Sequence, residues 1–288
     1  MFKVIAKQNM NRVIRRVDIQ ADSLASKVRP GHFVALMPDR FSRLVPLVVY
    51  EVDWRRKSLA LIFREADSET SLLAAKKIGD PVFLLQGPFG TPFLAEKTGT
   101  VVCVGEDLGL VPLAGMCRLL KQAGNKVIGV VGFEQRNNAL LESQIRLNCS
   151  KFFVMYKDGT HERRGDVLAP LNKVLSSETG VTVYASVSSG MLEDVHQVCQ
   201  ANKAALYIHL MPWMDIAAAF SPAVPVITGK QKYYPAVSGL VVRADRMNIK
   251  QLAGFLAGAR EYSECRRKDA ASWHRPGVFA RLKKFVWG

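Results

Sequence analysis

The chain has 288 residues, of which 49% are hydrophobic and 23% are charged, so it can bury a sizeable core and form one large or two ordinary domains. This composition excludes a disordered tail or a mini-protein. Lys and Arg number 40 against 25 Asp and Glu, and the formal net charge of +15 suggests an acidic partner such as nucleic acid, an anionic membrane or an acidic protein.

Cysteine usage and hydropathy limit the cellular context. The five cysteines show no CxxC or CxxH spacing, so the sequence indicates neither a disulfide framework nor a zinc or iron–sulfur site: Cys103, Cys117, Cys149, Cys199 and Cys265. The basic N-terminus lacks the apolar core of a signal peptide. The longest uncharged stretch, residues 216–229, contains two prolines and is too short to span a bilayer. We expect a soluble, cytoplasmic protein.

Residues 1–96 contain short apolar runs of strand length, separated by turn signals such as RPG, WRRK and GPFG. There are six runs: FKVIAK, NRVIRRVDI, HFVALM, VPLVVYEV, SLALIF and PVFLL. Strands at such close spacing predict a six-stranded antiparallel β-barrel. Residues 68–77 differ, since Ser68 followed by Leu72, Leu73 and Ala75 predicts a short helix with Ser68 as its N-cap.

Residues 97–212 alternate between apolar strands and longer helical segments. TVVCVG, LVPLAGMCRLLKQAG and NKVIGVVGF form a strand–helix–strand unit, and TVYASV, GMLEDVHQVCQANK and ALYIHLMP repeat that order. SKFFVMYKDG and GDVLAPLNKVLSSETG lie between them as a strand and a helix. This alternation predicts an α/β domain with a doubly wound parallel sheet.

This layout resembles the ferredoxin–NADP reductase superfamily. The motifs that carry the resemblance are RPGHFVAL, VPLVVYEVD, KKIGDPVFLLQGPFG, the strand–helix–strand unit, KDGTHERRGDV and YIHLMPWM, which together span the chain to about residue 245. More narrowly, the chain resembles the small subunit of NADH-dependent ferredoxin:NADP oxidoreductase, also called sulfide dehydrogenase, and the electron-transfer subunit of dihydroorotate dehydrogenase. The resemblance implies FAD on the barrel, NAD(P) on the α/β domain and a two-iron, two-sulfur cluster in a C-terminal module.

The flavin motifs depart from the family pattern. The resemblance implies FAD contacts at Pro46, Leu47, Val48, Thr70 and Gly87. However, Leu44 and Val48 stand where the family has a pyrophosphate-binding Arg and a hydroxyl residue. Strand alternation predicts that the neighbouring Arg43 points to the opposite face. Asp67 and Glu69 flank Ser68 at a helix N-terminus that binds phosphate in the family, and these acids would repel phosphate and complement the helix dipole instead.

The nicotinamide motifs also depart from the pattern. The resemblance implies NAD(P) contacts at Gly105, Gly109 and Pro112. The family's middle glycines let the backbone approach the dinucleotide, and here they are Glu106 and Asp107. An acid, Glu134, also follows the next strand, although Arg136 lies close to it. The family's pocket step of Cys or Ile, Gly and Pro reads Ser186, Val187, Ser188.

The remaining segments offer no catalytic or metal site. Residues 213–245 match the cluster module, but residues 216–224 and Ala236 supply no cysteine, so we expect no iron–sulfur cluster. The five histidines show no metal-binding spacing: His32, His161, His196, His209 and His274. A turn at residues 188–190 reads as a possible nucleophile turn or as a helix N-cap, and the N-cap is the better interpretation. We assign no catalytic residue.

Residues 246–288 form a basic C-terminal extension, with eight Lys or Arg and three acids in residues 260–288. Residues 278–286 place aromatic and aliphatic side chains at helical spacing, which predicts a basic amphipathic helix. The helix could dock on an acidic partner protein or an anionic membrane surface, or it could pack on its own domain. No nucleic-acid-binding module accompanies the charge.

Two hypotheses follow. The chain is a subunit of an electron-transfer assembly with impaired cofactor binding and a structural or regulatory role, located in the cytoplasm or at the inner face of the membrane. Alternatively, it is an active flavoprotein subunit that transfers electrons between NAD(P)H and a partner redox centre through a divergent FAD site. The departures at all three cofactor sites favour the first hypothesis.

Overall fold

The computed structural model describes residues 2–158, 164–211, 225–228 and 231–268. The chain divides into two compact units. The first comprises Met1–Pro92 with the described parts of Pro212–Leu240 and Lys250–Gly288, and the second comprises Phe93–Met211 and Val241–Ile249. Neither unit is continuous along the chain.

The first unit is built on a seven-stranded antiparallel sheet in the order β6-β1-β2-β5-β4-β3-β7. Its strands are β1 (Phe2–Asn9), β2 (Ile14–Gln20), β3 (Phe33–Met37), β4 (Val45–Asp53), β5 (Ser58–Arg64), β6 (Pro81–Val82) and β7 (Leu84–Phe89), with a short helix α1 (Asp22–Ala25) after β2. The concave core contains Val17, Leu59 and Phe63, which are almost completely buried. Alternating apolar side chains along β2 and β5 supply this core.

The two edges of this sheet are covalently joined. β6 and β7 lie at opposite ends of the strand order, yet only Phe83 separates them in sequence. Because two peptide steps span at most about 7.6 Å, the sheet must curl until its edges meet. The predicted antiparallel barrel class is therefore confirmed, although the run PVFLL forms two strands instead of one.

The helix predicted at residues 68–77 is α2 (Ser68–Ala75). Its N-cap is Asp67 and not Ser68, so that prediction is wrong by one residue. The Asp67 side chain accepts from the backbone N–H of Thr70, and the Thr70 hydroxyl accepts from the Asp67 N–H, which completes a capping box. Asp and Ser are about equally good N-caps, and Thr70 at position N3 favours Asp67 because its hydroxyl completes the capping box.

The second unit contains a six-stranded sheet in the order β10-β9-β8-β11-β12-β15. The first five strands are parallel: β8 (Thr100–Glu106), β9 (Lys126–Phe133), β10 (Lys151–Tyr156), β11 (Thr182–Ser186) and β12 (Ala205–His209). The crossover segments carry α3 (Leu110–Gln122), α4 (Glu142–Arg146), α5 (Leu168–Ser177) and α6 (Ser189–Ala201). The predicted doubly wound sheet is confirmed, and its strand order reverses between β8 and β11.

The segment after residue 225 contributes to both units. It contains β13 (Val226–Thr228), β14 (Gln231–Tyr233), a short helix α7 (Pro235–Ser238), β15 (Val241–Arg243) and a long helix α8 (Ile249–Lys268). β15 pairs antiparallel with β12 at the edge of the second sheet. The tail helix predicted at residues 278–286 lies outside the described residues. None of the described helices is both long and apolar enough to cross a bilayer.

Candidate functional site

The predicted flavin-phosphate position lies at the N-terminus of α2, where the side chains of residues 67–70 all have partners within the chain. The Thr70 hydroxyl accepts from the backbone N–H groups of Ala66 and Asp67, both at 2.9 Å, and donates to the Asp67 carboxylate. The Asp67 carboxylate in turn holds the N–H of Thr70 at 2.8 Å. These bonds serve the helix terminus and leave the Thr70 hydroxyl no free role toward a ligand.

Glu69 is buried beside this helix terminus as part of an ion pair. Its carboxylate accepts from Arg43 Nε at 3.1 Å and from the Ser68 hydroxyl at 2.8 Å. Burial raises the pKa of Glu69, but the hydrogen bonds from Ser68 and Arg43 outweigh it, so the net pKa is lowered. The carboxylate therefore stays ionised against the guanidinium, at a helix terminus where the family resemblance implies a phosphate.

The expectation that Arg43 points away from this region is wrong. β4 begins at Val45, so Arg43 lies in the preceding loop, where strand alternation does not apply. The loop lets the guanidinium reach Glu69 in α2, with the Arg43 side chain 42% exposed. A cation is thus present at this position, but it is paired with the protein's own acid.

The other predicted flavin residues are mainly packing residues. Pro46, Leu47 and Val48 are buried in β4 and carry no side-chain donor or acceptor. Gly87 has a φ of 144°, and a Cβ added there would lie 3.2 Å from Val34 Cγ1 and 3.3 Å from the Phe33 carbonyl oxygen. The glycine is thus required by its backbone conformation and by close packing on β3. Of the five predicted flavin residues, only Thr70 has a polar side chain, and its hydroxyl belongs to the capping box.

The predicted nicotinamide turn lies at the carboxyl end of β8, where the strand order reverses. A Cβ at Gly105 would lie 2.3 Å from Leu113 Cδ1, and one at Gly109 would lie 2.1 Å from the Ser186 carbonyl oxygen. Pro112 is buried in the first turn of α3, where its missing N–H breaks no helical bond. These three residues are explained by packing of the turn and of α3 on the sheet, whether or not a ligand binds there.

Glu106, the last residue of β8, is buried directly before this turn. Its side chain is 7% exposed, and Oε2 accepts from the backbone N–H of Ser188 at 3.2 Å and from the Ser188 hydroxyl at 3.0 Å. Lys157 Nζ lies 3.6 Å from Glu106 Oε1 and 2.8 Å from Glu134 Oε1. The hydrogen bond to Glu134, and then the charge of Glu106, raise the pKa of Lys157. A carboxylate of the chain thus occupies the N-terminal end of α6, where a doubly wound sheet binds anionic ligands.

Ser188 occupies the N-cap position of α6, as the preferred interpretation of residues 188–190 predicts. Its hydroxyl makes no capping bond to the helix and donates to Glu106 instead. Sequence reasoning missed this contact, because Glu106 and Ser188 are far apart in the chain and come together only at adjacent strand ends. Their bond crosslinks the ends of β8 and β11.

Two buried polar side chains lie at the carboxyl ends of the neighbouring strands β11 and β12. The Ser186 hydroxyl and both ring nitrogens of His209 have no hydrogen-bond partner within the described chain. Burial lowers the pKa of His209 to about 3, so the ring is neutral. The register pairs Ala185 with Ile208, which makes Ser186 and His209 the next positions on adjacent strands. Sequence spacing gave no sign of this pair.

Three cysteines that the sequence presented as scattered converge in the second unit. Cys117 on α3 lies next to Cys103 on β8 and Cys149 after α4, and the contact with Cys103 raises the pKa of the Cys117 thiol. No group of three or more His, Cys, Asp or Glu residues in the described ranges is arranged to hold a metal ion. Ala236 lies in α7, and residues 216–224 lie outside the described residues.

Comparisons with known proteins find both sequence relatives and structural neighbours. No protein-family model matches the chain. It is 23% identical over 261 residues to a dihydroorotate dehydrogenase B (NAD(+)) electron-transfer subunit homologue from Thermotoga maritima, covering 88% of this chain and 92% of the relative. It is 26% identical over 201 residues to the dihydroorotate dehydrogenase B (NAD(+)) electron-transfer subunit of Enterococcus faecalis, covering 68% of this chain and 76% of the relative.

Solved structures share the fold. An NADH-dependent reduced ferredoxin-NADP oxidoreductase matches with a TM-score of 0.80 at 21% identity, over 91% of this chain and 94% of that one. A ferredoxin reductase of carbazole 1,9a-dioxygenase matches with a TM-score of 0.58 at 16% identity, over 70% of this chain and 65% of that one. The chain therefore has the ferredoxin reductase fold, and its sequence is similar to electron-transfer subunits of dihydroorotate dehydrogenase B.

Proposed function

We propose that this chain is a subunit of an oxidoreductase electron-transfer assembly, in which it keeps the ferredoxin reductase fold but has impaired FAD and NAD(P) binding and a structural or regulatory role. Similarity to dihydroorotate dehydrogenase B electron-transfer subunits supports the redox context and a partner subunit. We expect the assembly to work in the cytoplasm, and we expect the chain to hold no iron–sulfur cluster.

One observation carries the impaired binding: a carboxylate of the chain stands at each of the two predicted phosphate positions. Glu69 is paired with Arg43, and Glu106 accepts from the N–H and hydroxyl of Ser188. A phosphate at either position would displace a carboxylate from its donors or share the space with it. Two like charges about 4 Å apart repel by roughly 1 to 4 kcal/mol, depending on the local dielectric.

An active flavoprotein subunit is the second candidate. Retention of the fold over 91% of the chain with a TM-score of 0.80 favours it, because both units of the reductase architecture are kept. In this case the chain would transfer electrons between NAD(P)H and a partner redox centre through a divergent FAD site. The two candidates differ in one observable, the presence of bound flavin.

The deciding experiment is the visible spectrum of the full chain purified at native expression level, followed by titration with FAD. We expect no flavin band after purification and no saturable FAD binding. A yellow protein with close to one flavin per chain would overturn the proposal and select the flavoprotein candidate. Iron and acid-labile sulfide are measured on the same sample, and stoichiometric amounts would contradict the expected absence of a cluster.

The basic C-terminal extension is proposed as a contact with the partner or with an anionic membrane surface. Its charge and its interleaved aromatic residues support this role. Deletion of residues 273–288 is expected to weaken association with a co-purifying redox subunit or with anionic vesicles. Unchanged association with both would rule out the docking role.

A further inference from the structure

Three cysteine thiols of the second unit lie together under α3. Cys103 on β8 is in register with Gly129 on β9, so both residues face the same side of the sheet. A Cβ added at Gly129 would lie 2.9 Å from Cys149 Sγ. The space left by the glycine therefore holds the Cys149 thiol, and Cys117 on α3 lies next to both Cys103 and Cys149.

The backbone holds Cys149 in this position from both directions. The Cys149 N–H donates to the Arg146 carbonyl at the end of α4, at 3.1 Å. The next residue, Ser150, donates to the Val127 carbonyl of β9 from its N–H at 2.7 Å and from its hydroxyl at 2.9 Å. The contact between the thiols of Cys149 and Cys117 is thus set by the fold.

The two thiols of this contact differ in their access to solvent. Cys117 is completely buried, whereas Cys149 is partly exposed. Lys121, whose Nζ donates to the Leu147 carbonyl at 2.8 Å, and Arg146 place two cations near Cys149. A partly exposed thiol backed by a buried one is an arrangement in which the first attacks an external disulfide and the second resolves the product.

The pKa of Cys149 sets the rate of such a reaction. The contact with Cys117 and burial raise this pKa, and they outweigh the two cations, which lower it. Because only the thiolate attacks, exchange is slow at neutral pH and faster in alkaline solution. Slow exchange means that the pair responds to a sustained change in the thiol–disulfide balance and not to a brief one.

We propose that Cys149 and Cys117 form a reversible disulfide by exchange with a low-molecular-weight disulfide such as oxidised glutathione. The Cys149 thiolate attacks one sulfur of the small disulfide, whose S–S bond breaks, and the first small thiol leaves with the proton that Cys149 gave up. The Cys117 sulfur then attacks Cys149 Sγ in the mixed disulfide, and the second small thiol leaves with the Cys117 proton. Two protein thiols are oxidised and one disulfide is reduced to two thiols, so no other oxidant is needed. This inference does not depend on the proposed function.

The test is incubation of the reduced full chain with oxidised glutathione at about pH 8.5, where more thiolate forms. Remaining thiols are blocked with N-ethylmaleimide, and the peptides are analysed by mass spectrometry without reduction. We expect peptides joined through Cys117 and Cys149, which dithiothreitol should separate. Since the pKa of Cys149 is raised, an increase of one pH unit should speed the reaction by up to about tenfold.

Three variants assign the roles of the two thiols. Cys117→Ala should stop the reaction at a mixed disulfide of Cys149 with glutathione, because the resolving thiol is missing. Cys149→Ser should leave Cys117 unmodified, since Cys117 is completely buried. Cys199→Ser is the matched control, because Cys199 is also buried and burial raises its pKa to about 12. Its yield of the Cys117–Cys149 disulfide should equal that of the wild type.

Four outcomes would overturn the proposal. The first is a disulfide between Cys117 and Cys103, and the second is a glutathione adduct that persists on Cys149 of the wild-type chain. The third is a wild-type chain in which Cys117 and Cys149 both remain free thiols. The fourth is modification of Cys199 at the same rate as Cys149, which would assign the reaction to the unfolded chain. Circular dichroism verifies each variant, and the peptides of the wild type decide the question even if a variant does not fold.

Discussion

The two predicted phosphate positions differ in how their carboxylates are held. In the first unit, Glu69 is paired with a partly exposed side chain, Arg43, and with a hydroxyl of its own helix. In the second unit, Glu106 accepts from a backbone N–H and a hydroxyl of Ser188, which follows another strand. The first arrangement is a local ion pair, whereas the second ties two strand ends of a sheet together.

This difference indicates how much stability the protein loses when each acid is removed. Arg43 can turn toward water if Glu69 is removed, because its side chain is 42% exposed. The N–H of Ser188 has no such freedom, since it lies at the start of α6 beside a buried strand end. Loss of Glu106 is therefore expected to destabilise the protein more than loss of Glu69.

The largest expected effect tests whether the turn after β8 is fixed by packing. Gly109→Ala places a Cβ 2.1 Å from the backbone oxygen of Ser186, so the turn must shift, and we expect a loss of about 3 kcal/mol in the free energy of unfolding. Urea denaturation of the variant and the wild type measures this change in the free energy of unfolding. Gly190→Ala is the control, because nothing lies within 4 Å of its Cβ, and it should stabilise α6 by about 0.5–1 kcal/mol. A small effect at Gly109 would show a turn loose enough to admit a ligand.

Glu106→Ala tests the crosslink between β8 and β11. It leaves the Ser188 N–H and hydroxyl without their acceptor, and we expect a loss of about 2–3 kcal/mol in urea denaturation. Glu134→Ala is matched to it, because Glu134 also pairs with Lys157 but is 59% exposed. The control should lose less than about 1 kcal/mol. Equal losses would mean that the Lys157 contact, and not Ser188, accounts for the stabilisation.

His209 is expected to make the stability of the second unit depend on pH. Burial lowers the pKa of His209 from 6.5 to about 3. Between these two pH values the ring is therefore protonated in the unfolded chain and neutral in the folded protein. Stability should fall as the pH falls below 6.5, by up to about 1.4 kcal/mol per pH unit from this group. His209→Leu should remove that slope in urea denaturations between about pH 7.5 and pH 5. An unchanged slope would assign the pH dependence to other groups.

Glu69→Ala has the smallest expected effect, a loss of about 1 kcal/mol near neutral pH, because Arg43 can be rehydrated. Since the folded pKa of Glu69 lies below 4.5, its contribution is present above that pH and is lost as the pH falls further. The free energies of unfolding of the wild type and the variant should therefore become equal in acid. A double-mutant cycle with Arg43→Ala measures the pair, and a coupling larger than the Glu106 effect would reverse the comparison.

The sequence predicted the architecture well, because periodicity is a local signal. Buried parallel strands such as β8 and β9 have continuous apolar sequences. In the curled sheet, short runs of alternating apolar and polar residues predicted the strands. Errors arose where a single residue decides a boundary. Asp67 caps α2 in place of Ser68, and β4 begins after Arg43, which freed that side chain to reach Glu69.

The site could be predicted only in part. Family resemblance predicted two phosphate positions and pointed to the acids near them, but it did not predict the partners of those acids. Ser188, which holds Glu106, lies 82 positions further along the chain, and the convergence of Ser186 with His209 depends on strand register. Contacts across such separations leave no spacing pattern in one sequence, so only the folded structure reveals them.

The interleaved division of the chain has a consequence for synthesis on the ribosome. β15, the edge strand that completes the second sheet, lies at Val241–Arg243, after the chain has contributed β13, β14 and α7 to the first unit. During translation the parallel strands emerge before β15, so one edge of β12 stays unpaired until β15 has been synthesised. A nascent chain stopped before residue 241 would expose that edge, and termination there should favour association between incomplete chains.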